Sequence, residues 1–485
     1  MLDSKAGAAE AHKQALPDAL HRSLEAYVDA GLLDRQTCDA VCTELARLFA
    51  LIDGNLSDED FWTAFQNAFG FARTNPIITP MNAANLCPEP IALINCANLL
   101  RVAYNTNVSQ QMRMAGGQRV DQIVAARRAI ADALGIANPE SLALIRNSSE
   151  GNNAITSGFR KWSPPDSTKD TVVVWSENHP TNLEAWRLRR DWHAEARLEN
   201  DAEPRPSDPF KLIVVEFPAS ASDADIARAF IKEINKTTRF VSYSETSNGS
   251  GFRIPDGVMA AIWNHVEKNG YDCHIHVDGT MSWGTRALDL PNHHCHSFVS
   301  SAHKWFLGPK ETAIFYVDPA HADRFQPAIF AYDYKIKIDK WAPLPSSALR
   351  FELLGQRDDV NLITLHATQA IWTALAARRQ PFKRVVELAS LLKQLLITAG
   401  WGLITPVAPD RSSGIVWIQA PAQAGTPSLY EWIYSAASPH RFAGSGGGTA
   451  PATQTFRLCP HIYNTRRDIH NVVAAMAEWR HSHGA

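Results

Sequence analysis

Residues 274–279, His274-Ile275-His276-Val277-Asp278-Gly279, and residues 297–304, Ser297-Phe298-Val299-Ser300-Ser301-Ala302-His303-Lys304, are short apolar runs that each end on charge. Within them His274–Val277 and Phe298–Ser300, rich in β-branched and aromatic residues, read as buried strands. An acid closing such a run needs a partner, because an isolated charge is costly to take out of water. A metal, a ribose hydroxyl or a protonated ring nitrogen would each serve Asp278. A lysine placed where a strand reaches the core loses hydration and its pKa falls, as a Schiff-base lysine requires. The plainer reading of Lys304 alone is a snorkelling surface side chain.

Outward from these two runs the pattern repeats. Strand-like segments fall at Leu142–Ile145, Thr171–Trp175, Leu212–Val215, Phe240–Tyr243 and Ala313–Val317, with helical stretches at 118–134 and 222–235 between them. Strands alternating with helices predict an α/β fold, a mostly parallel sheet covered on both faces. Ligands in such sheets lie at the carboxyl ends of the strands. Three further polar clusters follow predicted strands there: Arg146-Asn147-Ser148-Ser149-Glu150-Gly151-Asn152, then Ser176-Glu177-Asn178-His179, then Ser247-Asn248-Gly249-Ser250-Gly251. The first puts hydroxyls and free N–H groups at a helix start, a natural phosphate site, although an ordinary N-cap reads the same way. His179 could stack on a flat ring or donate a proton.

The flanks differ. Residues 1–80 predict a helical N-terminal arm, separate from the large domain, with packing or dimer contact as its task. Residues 81–379 form the large α/β domain and 380–485 a small α+β domain. In the latter, Gly400–Thr405 and Gly414–Gln419 read as strands, Phe442–Thr453 as a mobile Gly-rich link and 466–480 as a helix.

Composition removes several classes. With 47 Lys+Arg against 50 Asp+Glu, the net charge of −3 gives no positive field for nucleic acid. No apolar run approaches the roughly 18 residues of a membrane span, and Met1–Gly7 lacks a secretory apolar core, so the expected location is cytoplasmic. Seven scattered cysteines read as free thiols, and Cys38 with Cys42 as helix packing rather than a metal pair. No metal is expected. No Gly-x-Gly-x-x-Gly follows the first strand, which weakens a dinucleotide-binding oxidoreductase.

Taken in order, the helix-opening Ser148-Ser149, the strand-end His179, Val277-Asp278-Gly279 and Ser301-Ala302-His303-Lys304 resemble the class V aminotransferase family of fold-type I pyridoxal-phosphate (PLP) enzymes. The resemblance runs from about Asn82 to Thr465. It covers the branch of cysteine desulfurases, kynureninases and isopenicillin N epimerase-like proteins, and it implies pyridoxal 5'-phosphate as cofactor. Lys304 would form the internal aldimine and move the Cα proton, Asp278 would pair with the pyridine nitrogen, and His179 would lie against the ring. Ser148, Ser149 and Glu150, with Ser301 and His303, would hold the phosphate. Asn248 would stand near the ring and the substrate. Gln356, in Gly355-Gln356-Arg357-Asp358, would reach the phosphate of a neighbouring subunit in a homodimer. Arg457, in Phe456-Arg457-Leu458-Cys459-Pro460-His461, would clamp the α-carboxylate of an amino-acid substrate with its planar fork.

Two departures stand out. Met281 replaces the Gln or His that the family places three residues after the aspartate, and a thioether cannot donate a hydrogen bond. Ala443–Phe456 holds no cysteine, which argues against desulfurization through a persulfide. The expected chemistry is transamination or β-elimination (carbon–sulfur lyase) at Cα or Cβ, in specialised metabolism. The alternatives are epimerization of the isopenicillin N epimerase type, decarboxylation or oxidative deamination, and a non-catalytic PLP-fold protein.

Overall fold

Uninterrupted apolar character along the strands places the central sheet in the interior, and the computed structural model shows that sheet. It describes residues 17–29, 31, 33–74, 77–106, 118–163, 169–198, 210–327, 329, 346–352, 355, 357–435, 442–448 and 450–483. Seven strands form it: β1 Leu142–Ile145, β2 Asp170–Trp175, β3 Phe210–Val215, β4 Thr238–Ser244, β5 His274–Asp278, β6 Ser297–Ser301 and β7 Ala313–Val317. Their spatial order is β1-β7-β6-β5-β4-β2-β3. Neighbours run parallel except β7, which is antiparallel to both β6 and β1. Every residue of β1, β2, β5, β6 and β7 is buried, as a sheet covered on both faces demands.

Helices Gln118–Ala133, Ser148–Gly158, Asp223–Ile231 and Asp359–Arg379 flank these strands. Asn147, Ser222 and Asp358 cap three of them, each accepting a backbone N–H with its side chain. Two glycines set close approaches. A Cβ on Gly279 would stand 1.8 Å from Phe298 Cζ, so only glycine lets the chain leave β5 against β6. A Cβ on Gly151 would come within 2.5 Å of Val299 Cγ2, so the bare backbone lets its helix lie on β6 and brings Ser148 to Ser301.

The N-terminal segment forms helices Asp18–Asp29, Arg35–Asp53 and Asp58–Gln66, with Asp34 and Ser57 as N-caps of the last two. Its packing is continuous with the large domain. Leu45, Phe49, Phe61 and Phe65 share one hydrophobic core with Leu93, Leu100, Leu365 and Leu375, each such side chain contributing roughly 1.5–3 kcal/mol by its burial. Arg379 donates to the carbonyls of Ile52 (3.1 Å) and Leu56 (3.0 Å) and also to that of Gly54.

A second core, including Leu388, Leu392, Val416, Ile418, Phe456, Met476 and Trp479, belongs to the C-terminal part. Its antiparallel sheet holds β8 Val416–Gln419, β9 Ser445–Gly447 and β10 Thr455–Leu458 in the order β9-β10-β8. Two expectations are corrected here. Gly400–Thr405 is no strand, because its pairing is confined to a single bridge from Leu403 to Ile418. The Gly-rich stretch is no mobile link, because Ser445–Gly447 pairs with Thr455–Arg457. Glycine serves packing there: Cβ atoms on Gly444 and Gly446 would fall within 3 Å of the Phe456 and Tyr430 rings.

Candidate active site

The carboxyl ends of β1, β4, β5 and β6 converge with the loop after β2 on one narrow cleft. Ser148 enters it from the helix after β1, His179 from the loop after β2, and Ser244, Thr246 and Asn248 from the end of β4. Asp278, Thr280 and Met281 follow from β5, and Lys304 from the turn after β6. Of the residues singled out in the sequence, Ser148, His179, Asn248, Asp278 and Lys304 therefore meet.

Asp278 is buried, 3% exposed. Its oxygens accept hydrogen bonds from Asn152 Nδ2 (2.9 Å), Thr280 N (3.1 Å) and Thr280 Oγ1 (2.5 Å). All three partners are donors, and among the described residues no cation pairs with it. A buried carboxylate so placed is completed by a cationic or N–H-bearing guest. Lys304 is partly buried, and desolvation pushes its amine down to about 8 against the opposing pull of Asp278, with Arg457 lowering it further. Burial likewise lowers His179, opposed by Asp278 and assisted by Lys304 and Arg457.

Arg457 on β10 is 5% exposed. Its fork reaches Asn82 Oδ1 (2.9 Å), Ser445 Oγ (3.1 Å) and Asn248 Oδ1, and its Cζ lies 5.6 Å from the Trp417 ring centre. Its Nε is buried without a hydrogen-bond partner among the described residues. Among the described residues no carboxylate neutralises this guanidinium. It is a buried cation prepared for an anion.

Ser301 lies beside the helix start: Ser148 N–H donates to Ser301 Oγ (2.8 Å), which also bonds Ser148 Oγ (3.1 Å). Ser149 and Glu150 turn away from the cleft and line an outer cavity with Asn153 and Phe351. Glu150 accepts there from the backbone and guanidinium of Arg146, and its own N–H is taken by Asn147 (3.0 Å). The carboxylate is thus turned back on its own helix start. The His303 carbonyl accepts from Cys87 N–H (3.0 Å), and burial pushes its imidazole down to about 4. Gln356 lies outside the described residues. Its neighbours are tied within their own chain, Arg357 to Leu144 O and Asp358 to Arg101.

Several residues escaped the sequence reading. Asn82 and Ser445 hold Arg457 from 375 and 12 positions away. Asn152, Thr181 and His276 stand behind Asp278 and His179. Met281 Sδ accepts from Trp305 Nε1 (3.4 Å), and the Thr280 hydroxyl is spent on Asp278. The Thr246 hydroxyl, by contrast, is buried at the cleft without a partner among the described residues. Asn82 and Ser445 carried no local signal; His276, two residues before Asp278 and so on the same strand face, did.

The aminotransferase class-V family model matches residues 87–199 and 211–344. The chain belongs to the aminotransferase class-V family. Solved structures agree on the fold. The apo cysteine desulfurase from Thermococcus onnurineus NA1 superposes with a TM-score of 0.68 at 16% identity, covering 88% of this chain and 100% of that one. The cysteine desulfurase CsdA of Escherichia coli gives 0.67 at 16%, over 88% and 100%. The cystine C-S lyase C-DES, in complex with its product cysteine persulfide, gives 0.65 at 16%, over 83% and 97%. No curated protein matches the chain in sequence. The α/β fold with a mostly parallel central sheet and a small antiparallel one is as expected for this class-V enzyme. Among the described residues no helix is long and apolar enough to cross a membrane.

Proposed function

We propose that this class-V enzyme uses PLP to act at Cα or Cβ of an amino acid or amino-acid-derived substrate, as a transaminase or a β-eliminating carbon–sulfur lyase. One observation carries the reading: a depressed amine and a buried carboxylate with no cationic partner share one cleft, and a buried guanidinium with no anionic partner, each among the described residues, stands beside it on cleft-lining Asn248. The donor set fits PLP, whose ring nitrogen would satisfy Asp278 and whose aldehyde would meet Lys304. Members of the family typically use this cofactor, and another C-DES structure holds glycine covalently linked to it.

Bound PLP supplies the electron sink; the chain supplies the rest. Lys304 Nζ would hold the cofactor and carry the proton to or from the substrate Cα. Asp278 would keep a hydrogen on the ring nitrogen, with His179 beside the ring. Ser148, Ser301 and the helix N-terminus receive the phosphate, with His303 nearby and Gln356 of a second subunit as a further donor. The Thr246 hydroxyl takes the donor place that Met281 cannot fill. Asn248 orients the Arg457 fork, which binds the substrate carboxylate with two parallel hydrogen bonds. All seven cysteines are buried, and Cys459, just after β10, belongs to the hydrophobic core of the large domain, which supports elimination over a persulfide-forming cysteine.

The test is a screen of reconstituted protein against amino acids and S-conjugated amino acids, with keto-acid and ammonia detection. Pyruvate or ammonia from one substrate alone identifies elimination, and a requirement for a keto-acid acceptor identifies transamination. Racemised substrate with neither product would instead support epimerization. A protein that stays colourless in excess PLP would overturn the reading.

A further inference from the structure

Asn152, 1% exposed, lies on the helix that follows β1 and touches three chemically different partners. Its Nδ2 stands 2.9 Å from Asp278 Oδ2 and 3.2 Å from Thr181 Oγ1, while its Oδ1 stands 2.9 Å from His276 Nε2. These contacts have one consistent polarity. A carboxylate accepts and cannot donate, so the NH2 group of Asn152 must face Asp278. Its carbonyl oxygen then faces His276, whose Nε2 must carry the ring hydrogen.

The polarity propagates both ways. With hydrogen on Nε2, neutral His276 has a bare Nδ1, which accepts from the Ser297 hydroxyl (2.8 Å), and Ser297 Oγ accepts from His274 Nε2 (2.8 Å). Burial holds His276 neutral, pushing it down to about 4, and holds His274 well below its ordinary range. Toward the cleft, Thr181 Oγ1 receives the second hydrogen of Asn152. It passes its own hydrogen to His179 Nδ1 (2.9 Å), to which Thr181 N–H also points (3.3 Å). Neutral His179 is thereby left with hydrogen on Nε2. The chain ends at the amino end of β5, on the side of the sheet away from the cleft, where His274, His296 and His321 cluster. One ring nitrogen of each lies within 4.8 Å of the others, and His274 Nδ1 stands 3.1 Å from His321 Nδ1. Ile275 N–H donates to His296 Nδ1 (2.9 Å), which places that ring's hydrogen on Nε2, and the Arg324 guanidinium stands 3.2 Å from His321 Nδ1.

We infer that Asn152 is a positioning residue for the reaction, a single amide that fixes both the orientation of Asp278 and the tautomer of His179. His276, Ser297 and His274 lock it against rotation. The inference rests on the functional reading above, since the two groups it organises are those proposed to meet the cofactor ring. A half-turn of the amide would set its oxygen against the Asp278 carboxylate and its NH2 against the His276 N–H, opposing like groups at two contacts of 2.9 Å.

The test uses two readouts that do not need turnover: the ring-nitrogen resonances of His179 in cofactor-free protein, and the PLP dissociation constant. Wild type should show His179 with hydrogen on Nε2. Asn152→Ala should give a mixture of tautomers and weaken PLP by about 10- to 100-fold, the range expected when a buried acceptor loses its donor. His276→Leu should move both readouts the same way, and His276→Gln, which keeps an N–H near the Nε2 position, should restore them. Ser297→Ala, remote from the cleft, guards against loss of fold and should shift the tautomer in the same direction. A His179 hydrogen on Nδ1 in wild type, or unchanged readouts in Asn152→Ala, would overturn the inference. An Nε2 hydrogen in a wild-type protein that takes up no PLP would support the polarity and overturn the functional reading.

Discussion

Replacing Arg457 by alanine removes the buried cation beside the cleft and leaves its surroundings in place. Two charge-assisted hydrogen bonds to a substrate carboxylate contribute about 1.5–3 kcal/mol each, so their joint loss is about 3–6 kcal/mol. That corresponds to a rise in KM of at least about 100-fold and up to about 20 000-fold, at tenfold per 1.4 kcal/mol. Arg457→Lys keeps the charge but not the fork and should recover only part of this. Since Arg457 also lowers Lys304, its removal lets that amine climb from about 8. The assay is steady-state kinetics beside PLP titration and pH titration of the Lys304 amine. PLP affinity should stay within a fewfold of wild type, because the guanidinium bonds Asn82 and Ser445, neither assigned to the cofactor, and of its three partners only Asn248 lines the cleft. Collapse of PLP binding with an unchanged KM would refute the assignment.

Asp278→Asn should fold and bind PLP yet lose turnover by a factor of about 1000 or more, since a neutral ring is a poorer electron sink; single-turnover kinetics report the loss. Thr246→Val, isosteric and lacking the free hydroxyl, should shift the pH titration of the bound cofactor's absorbance while leaving apo stability within about 1 kcal/mol. The Lys304 amine of apo protein should react with an acylating reagent with a midpoint near pH 8. Its folded pKa is depressed below the ordinary 10.5, so the unfolded chain binds more protons between those values. Apo stability from this group therefore rises with pH from about 8 to 10.5, and urea unfolding of Lys304→Met should lack that rise.

The strands were legible because burial on both faces leaves unbroken apolar runs. β1 and β7 match their expected bounds, and the other five extend them by one or two residues at one or both ends. Asp278 and Lys304 stood out because charge at a strand end conflicts with the apolar run before it. What the sequence hid depends on chain crossing. Asn152 meets Asp278 from 126 positions away and Asn82 meets Arg457 from 375, and neither carries a local pattern. Ser149 shares a helix start with Ser148 but points to the outer cavity, since successive helical residues lie about 100° apart. Glycine-rich composition concealed β9, because glycine reads as punctuation whether it frees the backbone or lets a neighbouring ring approach.

The central claim is that the amine at 304 attaches the cofactor opposite the carboxylate at 278. Borohydride reduction of PLP-reconstituted protein, followed by peptide mapping, tests it directly. One stable pyridoxyl label per chain on Lys304, absent in Lys304→Ala, is the predicted result. A label on another lysine, or none from a protein that has taken up PLP, would contradict it.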